Sequence, residues 1–585
     1  MCLNSPDHKV SPFKAAAPMI AFLSCFLLSA AFAHAGTLRV SLLLGDHNSR
    51  TAVEALKAIT KEIDNLKAFP AGGLPTDDIR ISVYPEKDIR KQDLTHLRES
   101  HLVIVLIMGR RLLNAVRPEI EEVIQRGGKV YGVGGYYDDE VKKMGLLFDP
   151  KLNAYFTTGI RENIRNMVLY ALKKESPLDI PCGEPIKLAE VGIYDRRTKK
   201  VFDDFTAYQN ARPPRGSQSG QNQRPWVGII FHRNSVESGQ TQTVDAVIEA
   251  LEERDFNVLP VYGSVQMPKA TESIFSAAGV RLIVAIGWKV GVNPQTAVPL
   301  LSTLGVPVID AITLQNKSAE EWKRCPVGLD IFERAWQVGN PEMGGIIQPT
   351  VIASKEKCVD QETGMEYVED QPIPERIHRL AERVNAWINL QAKPNRHKKV
   401  AMIYYNYPPG KQNIGASYLN VLPESLYEMA ARMQAEGYDF KGLGLGEENA
   451  ERIKDRLFND IHTYARNIGN WAPGEMDRIV RSGKAMLIPV ETYKEWFSAL
   501  PEGLQKSILK SWGPVEKSNV MTWQDATGKK FLILPAVRYG NILFTPQPSR
   551  GWEQDPQKLY HDVTLAPHHQ YVAFYLWLKH WFQAD

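Results

Sequence analysis

The stretch Trp226–Leu251, WVGIIFHRNSVESGQTQTVDAVIEAL, decides the fold. Its first six residues are an apolar run rich in β-branched and aromatic side chains, the signature of a buried strand. A polar loop follows at once, and Val244, Val247, Ile248 and Leu251 then recur at helical spacing, so a strand feeds an amphipathic helix. The strands FNVLPVY (256–262), RLIVAIG (281–287) and VPVID (306–310) continue the alternation, with helical segments between them. Strands spaced by helices imply βαβ units and a largely parallel, doubly wound sheet.

The same alternation occurs earlier. LRVSLLL (38–44), a helix near Thr51 to Leu66, IRISVY (79–84), LVIVLIM (102–108), a helix near Asn114 to Arg126 and KVYGVGG (129–135) form another α/β unit. A helix at Arg161 to Lys173 closes it, before the proline-rich linker Glu175 to Pro185. Beyond residue 370 a helix with Ile377, Leu380, Val384, Trp387 and Ile388 on one face leads to the strand KVAMIYY and the loop NYPPGKQNIGAS (406–417). The remainder mixes helices with the strands KFLILPAV and NILFTPQP. The expected fold class is α/β: several doubly wound, largely parallel units followed by a mixed α+β region. The expected boundaries are 1–35 signal segment, 36–176, 186–370, 371–445 and 446–585.

Residues 1–35 stand apart. Lys9 and Lys14 precede the apolar run AAAPMIAFLSCFLLSAAF, which ends in Ala33-His34-Ala35, the pattern of a secretory signal peptide. The run is nearly long enough to span a bilayer, so a retained anchor is the rival reading. Export implies a periplasmic or membrane-associated protein; a start at Met19 would weaken the signal and leave a cytoplasmic one. After cleavage Cys182, Cys325 and Cys358 remain, without C-x-x-C spacing. Cys325 and Cys358 could bridge, or all three could be free thiols.

With 70 Lys and Arg against 67 Asp and Glu, the formal charge of +3 disfavours a nucleic-acid partner. The Gly-Lys pairs at Gly128, Gly410, Gly483 and Gly528 are not followed by Ser or Thr, so no phosphate-binding loop for ATP is recognisable. GVGGY at Gly132 and GLGLGEE at Gly442 read as turn glycines, and no G-x-S-x-G elbow is present.

Two loops carry the candidate ligand-facing residues. His232, Arg233, Asn234 and Ser235 follow a buried strand directly, and ligands of open α/β sheets bind at strand carboxyl ends. Alternatively, Asn234 and Ser235 turn the chain and cap the next helix. The second loop offers Tyr405, Asn406, Tyr407, Lys411, Asn413 and Ser417, aromatic faces and polar edges that suit a flat ligand bearing carboxylates. Late in the chain come His561, His568, His569 and His580. Adjacent histidines point different ways on a helix, so a metal at His568 and His569 is the weaker expectation and a structural role the stronger.

At these loops the sequence resembles the large subunits of tetrapyrrole metal chelatases, the cobaltochelatase CobN and the magnesium chelatase H subunit. The resemblance is carried by GIYDRRTKKVFDDFTAY, HRNSVESGQTQTVDAVIEALEERDFNVLPVY, AWQVGNPEMGGIIQPTV, NYPPGKQNIGASYLNV, GNILFTPQPSRGWEQDP and APHHQYVAFYLWLKH, in family order from about Glu190 to Asp585. It implies a corrinoid, porphyrin or haem as ligand and cobalt, magnesium or iron as the metal substrate. It also implies AAA+ partner subunits that hydrolyse ATP, or, for an exported form, membrane uptake components. The family motif H-x-G-T-H-G-x-x-E lies beyond the segment matched by YLWLKHWFQAD and outside these 585 residues. A chain without that half is expected to bind the ring and to be inactive alone, and its relatives in haem uptake suggest capture of haem or removal of its metal.

Overall fold

A computed structural model describes residues 37–67, 79–157, 159–176, 180–213, 224–263, 268–287, 294–407, 411–414, 423–468, 473–550 and 564–585. The expected signal segment, residues 1–35, therefore lies outside the described residues. Two compact units divide the chain, Met1–Asn385 and Ala386–Asp585.

In the first unit a four-stranded parallel sheet is built from β1 (Leu38–Leu43), β2 (Ile79–Tyr84), β3 (Leu102–Leu106) and β4 (Lys129–Val133), in the order β2-β1-β3-β4. Helix α1 (Asp46–Lys67) follows β1 and buries Ala52, Val53, Ala55, Leu56 and Ile59. It starts at Asp46, a turn and more before the apolar periodicity begins at Thr51, because the first turn is tied down by polar contacts rather than by core burial. Helix α2 (Arg161–Glu175) packs on α1.

The second sheet has eight strands: β5 (Val191–Tyr194), β6 (Val201–Phe202), β7 (Trp226–His232), β8 (Asn257–Gly263), β9 (Leu282–Ile286), β10 (Val308–Leu314), β11 (Ile347–Val359) and β12 (Glu366–Pro372). Their order is β12-β11-β10-β9-β7-β8-β5-β6, and β8-β7-β9-β10 repeats the order of the first sheet. In both, the first strand of the series is flanked by the second on one side and the third on the other, so each sheet has one topological switch point. After β7 come the short helix α3 (Asn234–Glu237) and α4 (Gln242–Glu252), the latter burying Val244, Val247, Ile248 and Leu251 as the periodicity predicts. The β11–β12 hairpin reaches out to α1: Ser49 Oγ accepts from Val368 N–H at 2.9 Å, and Arg50 pairs with Glu369 at 2.9 Å. Helix α5 (Pro374–Ala392) buries Ile377, Leu380 and Val384.

In the second unit β13 (Val400–Tyr404) pairs in parallel with β18 (Ile542–Pro546), which pairs antiparallel with β17 (Val537–Tyr539). β14 (Met486–Pro489), β15 (Thr522–Gln524) and β16 (Lys530–Leu534) form a separate antiparallel sheet. The β13–β18 pairing joins the expected segments 371–445 and 446–585 in one unit. A contact between strands more than a hundred residues apart leaves no trace in local periodicity. Helices α6 (Ala450–Tyr464) and α7 (His569–Trp577) pack within this unit. Cys182, Cys325 and Cys358 are free thiols, which removes the Cys325–Cys358 bridge as an option in this structure.

Candidate functional site

In the first unit the carboxyl ends of the parallel strands of both sheets open onto one cavity of about 1230 Å³. That exceeds the roughly 300–1,000 Å³ of an ordinary small-molecule pocket. The first sheet contributes the residues that follow each strand: Gly45, Asp46 and His47 after β1, Glu86 and Lys87 after β2, Met108 to Arg111 after β3, and Gly134 to Tyr136 after β4. The second contributes His232, Asn234 and Ser235 after β7, Gly287 after β9, Gln315 after β10, and Lys355 and Asp370 from the β11–β12 hairpin.

Glycine is required where the walls approach most closely. Gly134 has φ of +68°, and a Cβ there would lie 2.2 Å from the Phe156 ring and 2.8 Å from Leu106. Gly109 and Arg110 are both left-handed, and the Arg110 guanidinium donates to the carbonyls of Ile107 and Tyr136 and to the Asp138 carboxylate. A non-glycine residue held at positive φ is strain that its surroundings must offset, here by those three acceptors. Met108 and Tyr136 stand 65% and 90% exposed, an unusual presentation of apolar surface at the cavity wall.

The charges of the lining are mixed. Arg111 pairs with Glu86 at 3.3 Å. Burial, reinforced by Asp46, raises the Glu86 carboxyl above its ordinary range against the pull of Arg111 and Lys355. Burial also raises Asp370, which lies directly opposite Lys355 in the hairpin register. Burial first, then Lys355 and His232, push His47 down to about 3. His232 is lowered by burial and by Arg233, and its Nδ1 accepts from Asn234 N–H at 3.1 Å, which leaves its proton on Nε2.

The expected site residues separate. His232 lines the cavity. Arg233, its neighbour, does not: its side chain is only 12% exposed and is committed to Glu237 at 2.7 Å and Glu190 at 3.2 Å. Tyr405, Asn406, Lys411 and Asn413 lie in the second unit, and Ser417 lies outside the described residues. Asn406 is buried and acts on the backbone, its Oδ1 accepting from Asn467 N–H at 2.6 Å while Asn467 Nδ2 donates to its carbonyl at 3.0 Å. Tyr405 is partly exposed, Lys411 exposed and Asn413 half-buried, with Lys411 and Asn413 on one short turn.

His568 and His569 are both buried with both ring nitrogens engaged. His568 caps α7, its Nδ1 accepting from Tyr571 N–H at 3.1 Å and its Nε2 donating to the Ser549 carbonyl at 2.5 Å. His569 donates from Nε2 to the Gly513 carbonyl and accepts at Nδ1 from the Tyr493 hydroxyl, both at 2.9 Å. Neither offers a lone pair to a metal here, and no group of three His, Cys, Asp or Glu side chains among the described residues could hold one.

The family profile described as CobN/Magnesium Chelatase matches residues 153–585. The chain belongs to that family. The aerobic cobaltochelatase subunit CobN of Pseudomonas aeruginosa is 27% identical over 93% of this chain and 41% of its own length. The CobN subunit of a Sinorhizobium species is 28% identical over 74% of this chain and 33% of its own length. The chloroplastic magnesium-chelatase subunit ChlH of Oryza sativa subsp. japonica is 24% identical over 74% and 30%. This chain thus spans roughly a third of the length of the curated relatives it matches. The solved catalytic subunit of cobaltochelatase from Mycobacterium tuberculosis superimposes with a TM-score of 0.58 at 21% identity, covering 92% of this chain and 41% of that one, and so shares its fold.

Residue-level reading of the sequence misses most of the cavity wall, because the first sheet's share precedes the family match. The available signal is the strand-end rule applied to GDHN after LRVSLLL, to MGRR after LVIVLI and to GGYY after KVYGV.

Proposed function

We propose that this chain is a chelatase-type large-subunit protein that holds a tetrapyrrole in the cavity between its two sheets, for insertion or removal of cobalt, magnesium or iron. The supporting observation is the cavity itself: large enough for a macrocycle, with Tyr136 and Met108 at its wall for a flat apolar face, and Lys87, Arg111 and Lys355 for the carboxylates of a ring edge. Metal exchange moves protons on and off the pyrrole nitrogens, and carboxyls with raised proton affinity are suited to that. Glu86 and Asp370 are such groups in this cavity.

Titrating the full chain with haem, protoporphyrin and a corrinoid, followed by the absorbance bands of each ring, tests the proposal. A saturable shift for at least one ring is expected; no shift for any at tens of micromolar rejects it. The loop carrying Tyr405, Lys411, Asn413 and Ser417 is a second proposed ligand surface, supported by the family match across it. Energy-transducing AAA+ subunits are the proposed partners of a cytoplasmic form, and membrane uptake components those of an exported one. Residues 1–35 favour the exported form, for which N-terminal sequencing of the mature protein should start at Gly36.

A second reading is a binding module that leaves the metal of the ring unchanged. The full engagement of the His568 and His569 rings favours it. Metal analysis of the tetrapyrrole before and after incubation separates the two.

A further inference from the structure

The first turn of α1 is braced from several sides. The Asp46 carboxylate accepts from Lys87 N–H at 2.7 Å, and Ser49 Oγ donates to the Asp46 carbonyl at 2.7 Å. Thr51 Oγ1 donates to the Ser238 carbonyl at 2.7 Å. Gln240 Nε2 donates to the His47 carbonyl at 2.9 Å, while Gln240 Oε1 accepts from Asp370 N–H at 3.2 Å. The backbone of His47 is therefore fixed between the loop after β7 and strand β12.

Its imidazole is different. The ring lines the cavity beside Lys355 and His232 and makes no hydrogen bond to a described residue. His47 is half-buried in the cavity wall, and a rigidly placed imidazole that no protein group engages is free for a ligand. The surrounding cation and burial keep it neutral, with a ring-nitrogen lone pair available at neutral pH.

The chemistry of that ligand follows from how many donors the cavity supplies. A bare transition-metal ion takes three or more protein ligands, and no such group exists among the described residues. A metal already held by four ring nitrogens needs only one ligand from the protein. His232 cannot be that ligand in its present tautomer, because Asn234 N–H occupies Nδ1 and the proton sits on Nε2.

We propose that His47 ligates the central metal of a tetrapyrrole seated in this cavity, so that the site takes the metallated ring in preference to the metal-free one. The proposal rests on the reading that the cavity holds a tetrapyrrole, and it is tested separately from that reading.

The experiment titrates the full chain and its His47→Ala and His47→Gln variants with ferric haem and with metal-free protoporphyrin, following absorbance and electron paramagnetic resonance. The wild type is expected to bind haem at least tenfold more tightly than protoporphyrin, with the spectrum of nitrogen-ligated iron. His47→Ala should lose that spectrum and the tenfold preference while binding protoporphyrin unchanged, and added imidazole should restore the spectrum. Unfolding midpoints of the variants within a few degrees of wild type exclude misfolding as the cause. Retention of nitrogen ligation by His47→Ala, or equal weakening for both rings, overturns the assignment. If the wild type binds protoporphyrin but haem no more tightly, the axial ligand is rejected and the cavity reading survives. If neither ring binds, the cavity reading falls and this inference falls with it.

Discussion

His47 in the first unit is half-buried in a cavity wall and His568 in the second is fully buried, yet desolvation holds both far below the ordinary histidine range, at about 3 and about 4. They differ in what their nitrogens touch. His568 spends one on the Tyr571 amide and the other on the Ser549 carbonyl, so it is a cap and a clamp. His47 spends neither on a described residue while its backbone is pinned. A depressed pKa therefore does not separate structural from ligand-binding histidine; the hydrogen-bond account of each nitrogen does.

The two histidines should differ most in what their removal does to stability. His568→Ala removes a helix cap and leaves the half-buried Ser549 carbonyl without its donor, so unfolding in urea should show a loss of about 2–4 kcal/mol. His47→Ala removes no hydrogen bond and should cost under about 1 kcal/mol. Equal losses would erase the distinction.

A second test uses acid. Below the ordinary histidine pKa of 6.5 the unfolded chain gains protons that the folded rings refuse until about 4 for His568 and about 3 for His47. The unfolded state binds more protons across that window, so stability is complete above pH 6.5 and falls as pH drops through it, by about 3 kcal/mol for the fully buried His568 ring. Stability of His568→Gln should fall less steeply between pH 6.5 and 4; an unchanged slope would mean that the ring accepts a proton in place.

Smaller effects test the second loop. Asn467→Ala strips Nδ2 from the carbonyls of Asn406 and Gln547 and should cost about 1–3 kcal/mol, read by thermal or urea unfolding. Lys411→Ala, at an exposed position, should change stability by less than about 0.5 kcal/mol. If that loop faces the ring, the same change weakens ring binding by about 1–3 kcal/mol in the absorbance titration. Unchanged affinity would remove Lys411 from the site.

Much of this architecture is legible in the sequence because strands and helices of a doubly wound sheet announce themselves by local period. The placement of His232 is legible for the same reason: it ends β7, at a switch point, where side chains meet a ligand. Arg233 shows where the rule stops. Its partner Glu237 lies four residues on, within sequence reach, but Glu190 comes from before β5 and only the fold brings it close. Asn406 has the composition of a ligand-facing residue and is instead held by Asn467, 61 residues away. The pairing of β13 with β18 is hidden in the same way. His47 is the instructive omission, since it stands at a strand end as exposed to the rule as His232, in a region where the family match does not begin.

The central claim is that a tetrapyrrole occupies the cavity between the two sheets of the first unit. Ser235 lines that cavity from helix α3, and Ser235→Trp would place an indole in the space a ring must occupy. Titration of wild type and Ser235→Trp with protoporphyrin, with unfolding midpoints measured in parallel, tests the claim directly. A saturable one-to-one absorbance shift is expected in the wild type, with at least tenfold weaker binding in an equally stable Ser235→Trp. The same affinity in both proteins would contradict it.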